Sequence, residues 1–96
     1  MKLARFWFRH ILKGLQFMHS RDFVHLDIKH DNILLDRKNI PKLADFGFTQ
    51  RADGLLSFWK NTKEYAAPEV LNRTPYDGKK ADIYSLGVVF YSALRC

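Results

Sequence analysis

The first twenty residues repeat apolar and polar positions with the period of an α-helix. Six polar side chains fall within an arc of about 80° on a helical wheel, namely Lys2, Arg5, Arg9, Lys13, Gln16 and Ser20. The opposite side carries Leu3, Ala4, Trp7, Phe8, Ile11, Leu12, Leu15 and Met18. The pattern predicts an amphipathic helix of about five turns whose basic stripe faces water. His19 falls on the apolar side, and we interpret it as a hydrogen-bonded core residue rather than a ligand.

Three short apolar segments follow, at residues 23–24, 33–35 and 43–44. The polar residues 36–41 are typical of a turn, so the last two segments are predicted to pair as an antiparallel hairpin. Residues 48–66 show no period and predict a long loop, and loops of that length in compact domains tend to be functional. Residues 67–71 predict a short helix, and residues 74–78 predict a turn.

Residues 79–94 predict a second long helix with an unusual distribution of apolar residues. They surround the helix axis and comprise Ile83, Tyr84, Leu86, Val88, Val89, Phe90 and Tyr91. A helix that is apolar all round is expected to be buried on every side. Because 96 residues hold too little protein to cover such a helix, we expect further protein around it.

Composition narrows the class of protein. The chain is 47% hydrophobic and 15% aromatic, as in globular proteins and unlike disordered tails. Its one cysteine, Cys96, excludes an internal disulfide and favours a reducing compartment. The net charge of +6 would permit nucleic-acid binding. The basic residues are scattered and the aromatics lie among aliphatics, so we interpret the charge as solvated surface and expect no nucleic-acid partner.

The sequence also bears on location. The longest uncharged apolar run has twelve residues, 83–94, against about 20 for a membrane span, so we expect none. Residues 1–20 are basic without an acid, which fits a mitochondrial presequence. They hold one serine and continue into the next segment without a junction, which favours a helix of the fold. We expect the protein in the cytoplasm, with the nucleus as an alternative.

The candidate chemistry is concentrated between residues 25 and 47. The segment 25–32, HLDIKHDN, lies between two predicted strands and can aim Asp27, Lys29 and Asn32 at one point. Asp45 follows eighteen positions after Asp27, directly after a predicted strand. Taken alone, the two aspartates would suit a glycosidase-like carboxylate pair. They would equally suit two unrelated turns.

Four motifs in register change that interpretation. They are His-x-Asp-x-Lys-x-x-Asn at 25–32, Asp-Phe-Gly at 45–47, Ala-Pro-Glu at 67–69 and Asp-Ile-Tyr-Ser-Leu-Gly at 82–87. In this order and spacing the whole chain resembles the C-lobe of a eukaryotic-type protein kinase. The resemblance implies an α+β fold, mainly helical, with a long helix, a catalytic loop, a small hairpin, an activation segment and a buried helix.

The resemblance also implies roles for individual residues. Asp27 matches the catalytic base, and Asn32 and Asp45 match the Mg²⁺ ligands. Lys29 is similar to the loop lysine that contacts the transferring phosphate of ATP in Ser/Thr kinases. Thr62 matches the threonine that steadies the base and shapes the hydroxyl pocket. Together they imply a protein substrate with a Ser or Thr acceptor.

Further positions match structural parts of the family. His25 and Phe46 resemble the two lower members of a stacked apolar spine. Asp82 resembles the helix residue that holds the backbone of the catalytic loop. Leu34 is expected beneath the adenine ring of ATP, as an apolar floor supplied by the hairpin.

The chain departs from the family pattern at several positions. Leu26 stands where Arg usually pairs with a phosphorylated activation loop. Phe58, beside Ser57, occupies the position where the phosphorylated Thr often lies, and Asn61 replaces a usual Gly.

Larger parts of the family pattern are absent from the sequence. The chain has no Gly-rich loop and no Val-Ala-Ile-Lys strand, and nothing after Cys96 provides the Arg that normally pairs with Glu69 in the family. We therefore expect residues 1–96 to be an incomplete kinase domain, without the N-lobe and the end of the C-lobe. The alternative is a non-catalytic kinase-like fragment that acts as a binding module, or a truncated gene model.

Overall fold

Two long helices frame the chain, whose computed structural model describes residues 2–57 and 63–95. The helices are α1 (Lys2–Ser20), the short α2 (Pro68–Leu71) and α3 (Gly78–Arg95). The strands are β1 (Phe23–Val24), β2 (Ile33–Leu35), β3 (Pro41–Leu43), β4 (Gln50–Arg51), β5 (Leu55–Leu56) and β6 (Tyr76–Asp77). Two 3₁₀ turns cover His30–Asn32 and Lys63–Tyr65. The fold is α+β, as predicted, with more helix than strand.

Helix α1 forms as its amphipathic pattern predicts. Ile11 and Leu15 are buried, and Trp7 and Phe8 pack at the edge of the same core. Arg5, Arg9 and Lys13 of the basic stripe are exposed, as predicted. Among the described residues, no helix is long and apolar enough to span a membrane.

The predicted hairpin is present, with one shift in its second strand. Strand β2 pairs antiparallel with β3, and Ile33 lies opposite Leu43. The carboxylate of Asp36 accepts hydrogen bonds from the backbone N–H groups of Lys38 and Ile40, and the bond from Ile40 is the main cause that lowers the pKa of Asp36. Strand β3 begins at Pro41, so the prediction of a strand at 43–44 is wrong by two residues. Proline fits the first position of a strand, where no ladder hydrogen bond is required of its nitrogen.

The segment 48–66 is more regular than the prediction of a continuous loop. Strand β4 pairs with β1, with Phe23 opposite Arg51, and β5 pairs with β6, with Leu55 opposite Asp77. Each of these strands has two residues, which is too short to produce a detectable period. The prediction also covered 58–62, which lie outside the described residues.

The buried apolar residues form two clusters. The first contains Val24, Leu26, Ala52, Ala66, Ala67, Val70, Tyr76 and Ala81. The second contains Ile11, Leu15, Ile28, Leu86, Val89 and Phe90. Helix α3 contributes residues to both clusters. Of the two neighbours of Asp27, Leu26 lies in the first cluster and Ile28 in the second. The candidate catalytic loop is therefore fixed at the junction of the two clusters.

Helix α3 is covered on one side only. Leu86 and Val89 are buried, whereas Ile83, Tyr84 and Tyr91 are exposed by 46%, 45% and 62%. Burial on every side was expected to need more protein than 96 residues hold, and the described chain covers one face of α3. The opposite face presents apolar and aromatic surface.

The start of α3 is tied to the end of α1 by an ion pair. Lys79 Nζ donates to Asp22 Oδ1 over 2.9 Å. This hydrogen bond, aided by the charge of Lys79, lowers the pKa of Asp22. The neighbouring Gly78 allows α3 to approach β1 closely. A Cβ at Gly78 would lie 2.8 Å from Leu56 Cδ1 and 3.1 Å from both methyl groups of Val24.

We expect Gly78→Ala to destabilise the chain by about 1–3 kcal/mol, because the added methyl group overfills this contact. Gly87 is the matched control, since a Cβ there meets nothing within 4 Å. Gly87→Ala should stabilise the helix by up to about 1 kcal/mol through helix propensity. Urea denaturation at one protein concentration measures both. Equal effects of the two substitutions would contradict the close approach at Gly78.

Candidate active site

Asp27 and Asn32 form a hydrogen-bonded pair at the centre of the candidate site. Asn32 Nδ2 donates to the backbone oxygen of Asp27 over 2.7 Å and to Asp27 Oδ2 over 3.1 Å. Lys29 Nζ lies 3.9 Å from the other carboxylate oxygen, Oδ1. Asp27 is 7% exposed and Asn32 is 6% exposed. The structure therefore brings together the three polar residues of the loop, with one carboxylate held between an amide and an ammonium group.

His25 fixes the direction of the loop before Asp27. Its Nδ1 accepts the backbone N–H of Asp27 over 3.1 Å, and its Nε2 lies 3.0 Å from the backbone oxygen of Ala44. Because Nδ1 accepts and a carbonyl oxygen can only accept, these contacts require the neutral tautomer protonated at Nε2. His25 is fully buried. It therefore links the backbone of Asp27 to the residue that precedes Asp45.

The carboxylate of Asp82 accepts three hydrogen bonds in the core. Its Oδ2 accepts from the backbone N–H of His25 over 2.8 Å and from His19 Nε2 over 2.9 Å. Its Oδ1 accepts from the backbone N–H of Leu26 over 2.8 Å. Asp82 is 1% exposed, so the three donors provide the compensation that a buried carboxylate requires.

Leu26 adopts a backbone conformation that is uncommon for its residue type. Its φ is 66°, in the left-handed region, and its side chain is buried. Such conformations persist where the surroundings fix them, and they cluster at functional sites. Here Asp82 holds the backbone while the side chain packs in the first core cluster.

Asp45 lies next to the loop on the other side. The backbone N–H of Ala44 donates to the oxygen of Asn32 over 2.8 Å, which anchors the chain just before Asp45. Asp45 itself is exposed, has a φ of 54° and accepts the N–H of Gly47 at Oδ1 over 3.3 Å. The ring of Phe46 packs edge-on against His25, with 5.1 Å between centroids. The structure thus anchors the Asp45 segment to the candidate catalytic loop at two points.

The other residues matched to the family pattern do not join this hydrogen-bonded group in the described structure. Leu34 is 55% exposed on the hairpin. Thr62, Phe58 and Asn61 lie outside the described residues. The roles assigned to all these residues from the family pattern stay predictions.

The side chains of the candidate site offer carboxylate and amide oxygens and the ammonium group of Lys29. Both hydrogen bonds from Asn32 to Asp27 use Nδ2, so the Asn32 oxygen Oδ1 takes no part in this contact. Asp45 adds an exposed carboxylate. Within residues 2–57 and 63–95, no three His, Cys, Asp or Glu side chains form a metal-binding group. A cation here would depend on the amide oxygen as well as on carboxylates, a set suited to a hard ion such as Mg²⁺.

Two contacts at the site escaped the sequence reasoning. His19 was expected to be a hydrogen-bonded core residue, and its partner is Asp82, 63 positions away. His30 packs edge-on against Tyr65, with 6.0 Å between ring centroids. Neither partner could be found from local spacing, because each contact joins segments that only the tertiary fold brings together.

Comparison with known sequences identifies the family. The protein kinase domain model matches residues 1–95. The chain belongs to the protein kinase family. This confirms the resemblance inferred from the four motifs, and Ser/Thr kinases among the relatives support the narrower class.

Three relatives illustrate the similarity. CBL-interacting protein kinase 10 of Oryza sativa subsp. japonica is 42% identical over 98 residues, which covers 97% of this chain and 22% of that protein. Serine/threonine-protein kinase kin-29 of Caenorhabditis elegans is 45% identical over 91 residues, which covers 93% and 11%. CBL-interacting serine/threonine-protein kinase 10 of Arabidopsis thaliana is 45% identical over 93 residues, which covers 92% and 19%. This kinase chain therefore spans less than a quarter of the length of these relatives.

We expect Asp82→Asn to destabilise the kinase chain by about 2–4 kcal/mol, because an amide replaces one acceptor oxygen by a donor that faces backbone N–H groups. Asp53→Asn is the control, since Asp53 and its partner Arg51 are both largely exposed and 3.9 Å apart. Urea denaturation compares the two variants. A loss for Asp82→Asn no larger than that for Asp53→Asn would refute the anchoring role of Asp82.

Proposed function

We propose that this chain is the central part of the C-lobe of a Ser/Thr protein kinase, which transfers the γ-phosphate of ATP to a Ser or Thr hydroxyl of a protein substrate. The observation that carries the proposal is the buried Asp27–Asn32 pair, tied through Ala44 to the segment that begins at Asp45. Family membership supports the reaction class. A glycosidase-like use of the two aspartates has no such support.

Asp27 is the proposed base. Asn32 holds its Oδ2 and Lys29 lies near its Oδ1, so the carboxylate has a fixed orientation. In the proposed step the acceptor hydroxyl oxygen bonds to the γ-phosphorus while the bond to the bridging oxygen breaks and ADP leaves. The hydroxyl proton passes to the Asp27 carboxylate.

Asn32 and Asp45 are the proposed ligands of Mg²⁺. Their oxygens fit this hard cation, and the side of Asn32 that binds Asp27 is its nitrogen. When bound, the cation would offset negative charge on the phosphate oxygens of ATP. The protein's own contribution is to hold the two ligands on anchored segments, since hydrogen bonds fix the backbone at Ala44 and the side chain of Asn32.

Lys29, Leu34 and Thr62 complete the proposed site. The Lys29 ammonium group, near Asp27, would contact the transferring phosphate. Leu34 presents an exposed apolar side chain, which suits a floor beneath the adenine ring. Thr62 would shape the hydroxyl pocket and, with Lys29, favour Ser/Thr acceptors.

The test is a hybrid kinase, because residues 1–96 contain no Gly-rich loop or strand lysine. The hybrid is C. elegans kin-29, to which this chain is 45% identical over 91 residues, with its matching segment replaced by this chain. We expect the hybrid to phosphorylate a Ser/Thr peptide. Asp27→Asn should lower kcat by about 10²–10⁴-fold through loss of the base. Asp53→Asn is the control and should leave the rate unchanged.

Two outcomes would overturn parts of this proposal. A folded hybrid without activity would favour the non-catalytic binding module. An active hybrid that tolerates Asp27→Asn would exclude Asp27 as the base. In an assay with labelled ATP, the 96-residue chain alone should transfer no more phosphate than its Asp45→Asn variant. It lacks the Gly-rich loop and the strand lysine, and losing even one well-placed electrostatic contact costs about 10²–10³ in rate.

We also propose that activity does not depend on phosphorylation of the activation segment. Leu26 is 3% exposed and packs in the same cluster as Ala52, Ala66 and Ala67, which lie on either side of that segment. An apolar contact therefore holds the position where Arg would bind a phosphate.

We expect phosphatase treatment to change the activity of the hybrid by less than about twofold, since Leu26 offers a phosphate no charge-assisted hydrogen bond. Leu26→Ala should lower stability by about 2–5 kcal/mol through the cavity it leaves. Kinase assays before and after treatment, and urea denaturation, measure the two effects. A large loss of activity that returns on rephosphorylation of Ser57 or Thr62 would contradict the proposal.

A further inference from the structure

His30 connects the catalytic loop to a segment far along the chain. Its imidazole ring packs against the ring of Tyr65 with 6.0 Å between centroids and 70° between planes. This is the edge-to-face arrangement that aromatic pairs prefer. His30 is exposed and Tyr65 is half-buried, so the contact lies at the surface of the site.

On the side of His30, the contact is joined directly to the candidate base. His30 begins the 3₁₀ turn that ends at Asn32. The backbone N–H of Asn32 donates to the oxygen of Lys29 over 3.0 Å, and its side chain is bonded to Asp27. The ring of His30 therefore extends from a rigid turn whose position is fixed relative to the Asp27 carboxylate.

On the side of Tyr65, the chain is held from α3. Ser85 Oγ donates to the backbone oxygen of Tyr65 over 2.7 Å. The next residue, Ala66, is buried, and its backbone N–H donates to the oxygen of Lys63 over 3.3 Å. The turn Lys63–Tyr65 is thus attached to α3 through its backbone and to the catalytic loop through the ring of Tyr65.

We propose that His30 is a positioning residue that sets where the turn Lys63–Tyr65 lies relative to Asp27, and through it where the acceptor hydroxyl binds. The inference rests on the proposed function, because Thr62, assigned there to the hydroxyl pocket, directly precedes Lys63. His30 therefore affects the placement of the protein substrate and has no part in binding ATP or Mg²⁺.

The first test needs no catalysis and uses the 96-residue chain. Hydrogen exchange of the Ala66 amide reports the opening of the turn Lys63–Tyr65. We expect His30→Ala to accelerate it by about two- to tenfold, the range that ring pairs of this geometry give. His30→Phe keeps an aromatic edge and should restore the exchange rate. The Leu86 amide in the core of α3 should not change.

His10→Ala is the matched control for removing a histidine ring. His10 also packs on an aromatic ring, that of Phe6 at 4.4 Å, and it lies on α1. It should leave the Ala66 amide unaffected. The proposal is overturned if His30→Ala leaves the exchange of Ala66 unchanged, if His30→Phe behaves like His30→Ala, or if Leu86 accelerates by the same factor.

The second test measures substrate placement in the hybrid kinase. We expect His30→Ala to raise KM for the acceptor peptide severalfold with KM for ATP unchanged, and His30→Phe to restore it. An unchanged acceptor KM, or an equal rise in both KM values, would overturn the role in placing the acceptor. If the hybrid is inactive before any substitution, the proposed function fails, and hydrogen exchange alone still decides whether His30 holds the turn.

Discussion

The buried carboxylate of Asp82 is the constraint on which the candidate site depends. It accepts the backbone N–H groups of His25 and Leu26 and the side chain of His19. These bonds fix the chain immediately before Asp27 in a conformation that includes a left-handed leucine. Removing water from a carboxylate is costly unless donors surround it. The hydrogen bonds that compensate the buried Asp82 carboxylate therefore also fix the direction of the backbone at Asp27.

From this point the order of the site follows by short steps. His25 Nε2 is hydrogen-bonded to the backbone oxygen of Ala44, and the backbone N–H of Ala44 donates to the backbone oxygen of Asn32. Asn32 Nδ2 in turn donates to the backbone oxygen and the carboxylate of Asp27. Each step is a hydrogen bond between neighbours, so the whole arrangement is rigid although most of its residues lie in loops and turns.

The parts of the fold that could be predicted are those written into local patterns. The period of 3.6 residues defined α1, and the turn at Asp36 defined the hairpin. The apolar segment 79–94 located α3 within one residue at each end. Motif chemistry placed Asp27, Lys29 and Asn32 together, because eight consecutive residues carry all three. The two-residue strands were missed, since their pairing with β1 and β6 depends on contacts distant in sequence. The sequence indicated that 96 residues are too few to cover an all-apolar α3, but which face stays exposed depends on the tertiary packing.

Helix α3 holds both halves of the site with residues three positions apart. Asp82 binds the backbone N–H groups of His25 and Leu26, and Ser85 binds the backbone oxygen of Tyr65. Residues with this spacing share one face of a helix, whereas one inserted residue would turn the second by about 100°. The spacing between the loop that carries Asp27 and the turn Lys63–Tyr65 thus depends on the number of residues between Asp82 and Ser85. An insertion or deletion between positions 82 and 85 would therefore separate the two contacts, which a substitution that keeps the spacing would not do.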